Sequence, residues 1–146
     1  MENILISACL LGVKCRYSGG GKRLPEIDEL MKRYHLIPVC PEVYGGLPTP
    51  REPAEQSEGK VITCTGQDVT AEFERGACEV VELAKLYECP YALLKERSPS
   101  CGCGKVYDGS FSGRLIDGNG VLAGMLLERG IAVAGETGIK EALLGE

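Results

Sequence analysis

The chain has 146 residues, with 16 basic and 21 acidic side chains and a net charge of -5. This length favours one domain with its own hydrophobic core, so we predict a single domain over residues 1–146. The excess of acidic over basic side chains argues against a broad surface that binds intact nucleic acid, because such a surface needs Lys and Arg to contact the phosphates. A small molecule or a protein is therefore the expected partner.

The N-terminus lacks the features of a targeting sequence. Its first three residues contain no Lys or Arg, and the apolar run of residues 4–11 is interrupted by Ser7 and Cys9. No apolar stretch approaches the length that crosses a membrane. We therefore expect a cytoplasmic protein with no membrane partner. In that reducing compartment eight cysteines indicate metal or catalytic chemistry rather than a disulfide framework.

Apolar periodicity predicts alternating strands and helices along the chain. The expected strands are residues 4–6, 35–39, 60–65, 91–94 and 131–134, and the expected helices are residues 25–34, 70–88, 121–129 and 139–144. Residues 41–59 predict a long functional loop or a disordered segment, and the glycine-rich residues 109–120 predict a flexible connector. This alternation is typical of an α/β fold, a Rossmann-like three-layer sandwich around a mostly parallel sheet of four to five strands.

Three cysteines follow predicted strands. Cys9 and Cys40 stand where strands end, and Cys101 lies in the loop that follows residues 91–94. Ligands of open parallel sheets bind beyond the C-terminal ends of the strands, so these thiols share one rim if the three strands are neighbours. Cys15 and Cys103 lie in the same loops. The pattern predicts a single metal centre at this rim.

The remaining cysteines lie on predicted strand or helix. We expect Cys64, Cys78 and Cys89 to be small buried apolar residues, the usual state of a free cysteine.

Thiolate ligands narrow the metal to zinc or an iron-sulfur cluster. A structural zinc site commonly uses closely spaced pairs of cysteines, but the chain contains no CxxC, and its one histidine, His35, is predicted to be structural. A cluster accepts widely separated thiolates, although spacing alone leaves both metals open. A redox disulfide between Cys101 and Cys103 ranks last, because one intervening residue makes a strained bridge.

Short blocks of sequence around these cysteines resemble the thiouracil desulfidase family. The blocks are SACLLG at 7–12, CRY at 15–17, CPEV at 40–43, GLP at 46–48, PR at 50–51 and SPSCG at 98–102. The resemblance extends over essentially the whole chain, which is similar to the short single-domain form of the family.

The resemblance implies a [4Fe-4S] cluster held by three cysteines and a non-redox removal of sulfur from a thiolated nucleobase such as thiouracil. Carried onto this sequence, it makes Cys9, Cys40 and Cys101 the expected cluster ligands. Cys15 either replaces Cys40 as a ligand or serves as a catalytic cysteine. Glu42 is the candidate base that activates the attacking water. The open iron is expected to accept the sulfur of the substrate.

Polar side chains near the same blocks are candidates for contacts with the ligand. Ser98 or Ser100 is expected to donate a hydrogen bond to charge developing on the base ring, or else to shape a turn. Basic side chains of the same loops either hold a carbonyl or phosphate oxygen of the ligand or are solvated loop charges. They are Arg16, Lys22, Arg51, Lys95 and Arg97.

A second function keeps the cluster without the reaction: an iron-sulfur binding or sulfur-carrier protein that serves another enzyme. The sequence leaves open whether the substrate is a free base, a nucleoside or tRNA, although the acidic charge disfavours intact tRNA. It gives no indication of oligomeric state.

Overall fold

The computed structural model describes residues 1–145. The strands are β1 (Glu2–Ser7), β2 (Tyr34–Val39), β3 (Ala54–Ser57), β4 (Lys60–Thr63), β5 (Tyr91–Leu94), β6 (Lys105–Tyr107), β7 (Leu115–Asp117) and β8 (Ala132–Gly135). The α-helices are α1 (Ile27–Arg33), α2 (Pro41–Tyr44), α3 (Thr70–Leu86), α4 (Val121–Glu128) and α5 (Ile139–Ala142). Within this part of the chain no helix combines the length and apolar character that a membrane span requires.

The central sheet has four strands in the order β2-β1-β5-β8, and every neighbouring pair is parallel. Its middle strands are apolar on both faces, as in β1, where Ile4, Leu5 and Ile6 are fully buried. The predicted α/β architecture is confirmed, including the adjacency of the three strands that precede Cys9, Cys40 and Cys101.

Helices cover both faces of the sheet and produce a three-layer sandwich. On one face Leu5 packs in a core with α3 and α4 that includes Val80. On the other face Ile6 packs with α1 and α5 in a core that includes Leu30 and Ile139. The alternation of side chains along β1 therefore divides the interior into two cores.

The order of the strands reverses next to β1. The chain passes from β1 to β2 on one side and then crosses to add β5 and β8 on the other side. A reversal of this kind leaves a crevice beyond the strand ends, between the loops that follow β1 and β5. The predicted rim of cysteines lies at this crevice.

Two β-hairpins supplement the sheet, and the sequence predicted neither of them. β3 pairs antiparallel with β4 through a turn at Glu58 and Gly59, both with positive φ. Residues 41–59 therefore contain a helix and a strand rather than only a loop. β7 lies inside the segment predicted to be a flexible connector, and it pairs antiparallel with β6, which precedes that segment. Strands of three or four residues are too short to display a clear alternation.

Thr70 begins α3, but its side chain does not cap the helix. Its Oγ1 accepts a hydrogen bond from the Val61 amide at 2.8 Å, while Asp68 Oδ1 accepts from the Thr70 amide at 2.9 Å. Cys89 is buried as predicted, but Cys64 and Cys78 are exposed. Cys64 lies in the turn after β4, and Cys78 lies on the solvent face of α3.

Candidate active site

A cavity of about 370 Å³ opens at the crevice beyond the strand ends. This volume is in the range of small-molecule sites. The predicted catalytic, cluster-binding and substrate-binding side chains all line it: Cys9, Cys15, Arg16, Cys40, Glu42, Arg51, Lys95, Ser98, Ser100 and Cys101. The fold thus brings together residues that are nearly a hundred positions apart in the sequence.

The loop after β1 holds Cys9 and Cys15. Cys9 lies in a 3-10 helix, Ala8–Leu11, and its carbonyl accepts hydrogen bonds from the amides of Gly12 at 3.2 Å and Lys22 at 2.9 Å. The Cys15 carbonyl accepts a hydrogen bond from Arg51 Nη2 at 2.9 Å. Both thiols are nearly buried, at 6% and 8% exposure.

Cys40 immediately precedes α2, whose first residue is Pro41. The short helix packs backbone to backbone against α3. A Cβ atom added at Gly76 of α3 would lie 1.6 Å from the Pro41 carbonyl oxygen, and one added at Gly45 would lie 1.9 Å from the Glu72 carbonyl oxygen. Only glycine permits this approach, which fixes the positions of Cys40 and of Glu42 in the first turn of α2.

Cys101 lies in the tight loop after β5. Ser98 Oγ accepts hydrogen bonds from the amides of Ser100 at 3.2 Å and Cys101 at 3.1 Å. The start of α4 closes the loop, because the amides of Val121 and Leu122 donate to carbonyls of the loop. Ser98 therefore shapes the turn in addition to lining the cavity.

The thiols are close enough to affect one another. Burial raises the pKa of Cys9, and it raises the pKa of Cys15 and of Cys101 to about 12; the neighbouring Cys40 adds to the rise in each case. Without a cation these three groups are therefore neutral thiols at neutral pH. A metal centre supplies the positive charge that thiolates require here.

Glu42 is held by two donors across the cavity. Arg51 Nε donates to Glu42 Oε1 at 3.1 Å, and Ser100 Oγ donates to Glu42 Oε2 at 2.8 Å. The side chains of Arg51 and Glu42 are 7% and 16% exposed, so solvent screens this ion pair only weakly. Ser98 Oγ lies 3.0 Å from Ser100 Oγ and extends the chain of hydrogen bonds.

The basic residues predicted to contact a ligand differ in their surroundings. Most of the N–H groups of the Arg51 side chain donate hydrogen bonds to the protein itself, to Glu42, to the Cys15 carbonyl and within its own loop. Lys95 Nζ lies 3.3 Å from Glu136 Oε1. Arg97 is exposed at the rim, and Lys22 is exposed outside the residues that line the cavity.

The sequence interpretation missed several residues that line or support the cavity. Ser7 is buried at the end of β1, where its Oγ accepts from the Lys95 amide at 2.9 Å and its hydrogen bond lowers the pKa of Cys101 against the effect of burial. The sequence signal that could have identified Ser7 is a lone hydroxyl inside an apolar strand. Glu55 and Tyr107 come from the unpredicted hairpins, and no sequence signal placed them here.

Comparisons with known proteins agree with this geometry. The family model described as 2-thiouracil desulfurase matches residues 4–138. An uncharacterized protein of Bacillus subtilis (strain 168), YbbK, is 39% identical over 150 residues, covering 96% of this chain and 99% of its own. The solved structure of the [4Fe-4S]-dependent thiouracil desulfidase TudS has a TM-score of 0.94 and 44% identity, covering 99% of this chain and 97% of that one. The chain belongs to the 2-thiouracil desulfurase family.

Proposed function

We propose that this protein removes the sulfur of a thiouracil-like nucleobase by hydrolysis, with a [4Fe-4S] cluster as its cofactor. In the reaction water replaces the thione sulfur with oxygen, and hydrogen sulfide leaves. One observation carries the proposal: four cysteine thiols and the Glu42–Ser100 pair share one small cavity. Membership in the family and the likeness to TudS, a [4Fe-4S]-dependent thiouracil desulfidase, support it.

The donor set fits a cluster better than a single ion. Around zinc, sulfur ligands at 2.3 Å stand about 3.8 Å apart and converge on one point. Within residues 1–145 no group of three or more Cys, His, Asp or Glu side chains converges in this way. A cluster binds each thiolate through a different iron, so its ligands can be spread around a cavity.

We assign Cys9, Cys40 and Cys101 as the ligands. Each follows a strand of the central sheet, and the charge of Cys40 affects the pKa of both of the others. Rigid strand ends are suitable supports for a metal centre. When bound, a cluster on three thiolates supplies an iron with an open position, a Lewis acid for the sulfur of a C=S group.

Glu42 is placed to accept a proton from the attacking water. Both of its oxygens have donors, so the carboxylate is oriented before the substrate arrives. Glu42 also lines a second cavity, of about 350 Å³, to which none of the cysteines contributes. Water can therefore reach the carboxylate without passing the thiols.

Ser100 and Cys15 have supporting roles in this proposal. The Ser100 hydroxyl can pass a proton between Glu42 and Ser98, because it lies within hydrogen-bonding distance of both. Cys15 adjoins Cys40, whose Sγ lies 3.9 Å from the Cys15 carbonyl oxygen. We assign Cys15 as a neutral thiol of the cavity that acts beside the cluster, rather than as a ligand.

The test begins with protein reconstituted without oxygen. We expect about four irons per chain and release of hydrosulfide from thiouracil. The variants Cys9→Ala, Cys40→Ala and Cys101→Ala should each lose most of the iron, whereas Cys78→Ala, which removes an exposed thiol on α3, should retain it.

Each alternative predicts a different outcome. A cluster without hydrosulfide release would favour the iron-sulfur carrier over the enzyme. Full iron in any of the three ligand variants would refute the assignment of that ligand. Loss of iron in Cys15→Ala, together with full iron in Cys40→Ala, would make Cys15 the ligand in place of Cys40.

A further inference from the structure

In the part of the chain that the structure describes, Arg16 is the half-buried basic residue of the cavity that pairs with no carboxylate. Arg51 pairs with Glu42 at 3.1 Å and Lys95 pairs with Glu136 at 3.3 Å. Arg97 is exposed, so water solvates its charge. Among residues 1–145 no salt bridge includes the half-buried Arg16.

The Arg16 side chain also has an unused donor. Its Nε is buried and has no hydrogen-bond partner in the described chain. A buried N–H without an acceptor costs free energy of folding, so an unpaired one in a native protein indicates a hydrogen-bond acceptor from outside the chain. The position of the donor therefore indicates an acceptor that the protein itself does not provide.

The surroundings indicate which acceptor is missing. Arg16 and Cys9 line the same cavity, and burial raises the pKa of Cys9 while the nearby Arg16 guanidinium lowers it. Cys15 is the preceding residue in the chain, and Cys40 is near both thiols. Sulfur atoms are thus potential acceptors on the same side of the cavity, and sulfur accepts well only as a thiolate or sulfide.

The backbone holds Arg16 in place before any ligand binds. Its amide donates to the Gly20 carbonyl at 3.1 Å, and its carbonyl accepts from the Gly19 amide at 2.8 Å. The Tyr17 carbonyl accepts from the Arg51 amide at 2.8 Å, which ties the turn to the segment beyond α2. The backbone of Arg16 is therefore part of a preformed turn.

We propose that Arg16 is the positioning residue for the cluster: its guanidinium donates to the sulfur atoms at Cys9 and balances the negative charge of the bound cluster. This inference rests on the proposed function. A cluster held by three thiolates is anionic, because the thiolates outnumber the positive charges of an oxidised core. Hydrogen bonds to sulfur and nearby charge set how firmly such a cluster is held and its reduction potential.

The experiment compares Arg16→Gln and Arg16→Lys with a matched control, Arg23→Gln. Arg23 is an exposed arginine of the same loop that pairs with Asp28 and does not line the cavity. All proteins are reconstituted without oxygen. The readouts are the rate at which an iron chelator bleaches the cluster and the midpoint potential of the cluster in a redox titration followed by electron paramagnetic resonance.

We expect Arg16→Gln to lose its cluster about 10-fold to 100-fold faster than wild type, the usual effect of removing a group that supports a metal ligand. Its midpoint potential should become more negative, because the lost cation no longer stabilises the more negatively charged reduced cluster. Arg16→Lys keeps the charge without the Nε donor, so its potential should stay near wild type while its cluster is lost faster. Arg23→Gln should match wild type in both measurements.

Loss rates and potentials of both Arg16 variants that equal those of Arg23→Gln would overturn the inference. Should Arg16→Gln fail to fold as the apoprotein, Arg16→Lys decides, and an unchanged rate of loss then overturns it. Wild-type protein that binds the cluster but releases no hydrosulfide overturns the proposed enzyme while the Arg16 comparison still stands. Wild-type protein that takes up no iron overturns both.

Discussion

The cavity has two walls of different origin. The sheet-side wall consists of the strand ends and their loops, and it holds the four thiols together with Glu42 and Ser100. The hairpin-side wall comes from β3 and β6 and holds Pro53, Ala54, Glu55 and Tyr107. Groups that can bind metal or move protons are concentrated in the first wall, and the second offers an aromatic ring and few reactive groups.

The two walls are also anchored differently. The sheet-side wall is fixed by close backbone contacts, such as those at Gly76 and Gly45. The hairpins are tied by a backbone bridge between Arg97 and Val106 and by side chains: Gln56 Nε2 donates to the carbonyls of Pro99 and Asn119, both at 3.0 Å, and Glu55 Oε1 accepts from the Gly109 amide at 3.0 Å. We therefore expect chemistry to depend on the sheet-side wall and substrate affinity on the hairpin-side wall.

The largest expected effect comes from Glu42→Gln, which removes the proposed base of the sheet-side wall. Glutamine retains the size and an oxygen that accepts from Ser100, so the cluster should remain bound. We expect kcat for desulfuration of thiouracil to fall about 10²-fold to 10⁴-fold, the usual contribution of a general base. Steady-state release of hydrosulfide, normalised to iron content, measures the effect.

The matched control is Glu79→Gln, the same change on the solvent face of α3. Glu79 is exposed and lines neither of the two cavities. Its kcat should stay near wild type. Normal kcat in Glu42→Gln would mean that the base lies elsewhere.

Gly76→Ala should damage the same wall through the backbone. The added Cβ would lie 1.6 Å from the Pro41 carbonyl oxygen, so α2 has to move away from α3 and take Cys40 and Glu42 with it. We expect a loss of about 3 kcal/mol in the free energy of unfolding, at the upper end of the range for overpacking. Urea denaturation of the apoprotein measures this loss, and iron content should fall in parallel.

Gly124→Ala, in α4, is the comparison for this substitution. A Cβ there meets only Asn119 Cβ, at 3.9 Å. Because alanine is the better helix former, this variant should gain about 0.5–1 kcal/mol. Equal stabilities of the two variants would contradict the role assigned to the contact between α2 and α3.

The sheet-side wall was predictable from sequence because the positions of its cysteines follow from the topology of the parallel sheet. Cys9, Cys40 and Cys101 each follow an apolar run, and the ends of parallel strands meet at one edge. The pairing of Arg51 with Glu42 was not predictable. It depends on the path of the loop between them, and the sequence assigned Arg51 to the ligand instead.

The hairpin-side wall could not be predicted for a different reason. β3 and β6 have only four and three residues, and β3 is half-buried along its whole length, so neither displays an alternating pattern. Glu55 then stands in the sequence as an ordinary loop glutamate. Only the folded structure reveals that it anchors the tip of the second hairpin.

The smallest expected effect comes from Tyr107→Leu, and it separates the two walls most directly. Tyr107 is the last residue of β6 and is half-buried where it lines the cavity, so a planar base can stack on its ring. Loss of an aromatic contact costs on the order of 1 kcal/mol, which corresponds to about a fivefold rise in KM for thiouracil. Because Tyr107 adjoins neither Glu42 nor a ligand cysteine in sequence, kcat and iron content should stay near wild type.

Tyr87→Leu is the control, since Tyr87 follows α3, is 44% exposed and does not line the cavity. A rise in KM alone, confined to Tyr107→Leu, would assign substrate affinity to the hairpins. A fall in kcat of the same size in Tyr107→Leu would instead show that the hairpin-side wall takes part in the chemical step. The assignment of chemistry to one wall and substrate affinity to the other would then be wrong.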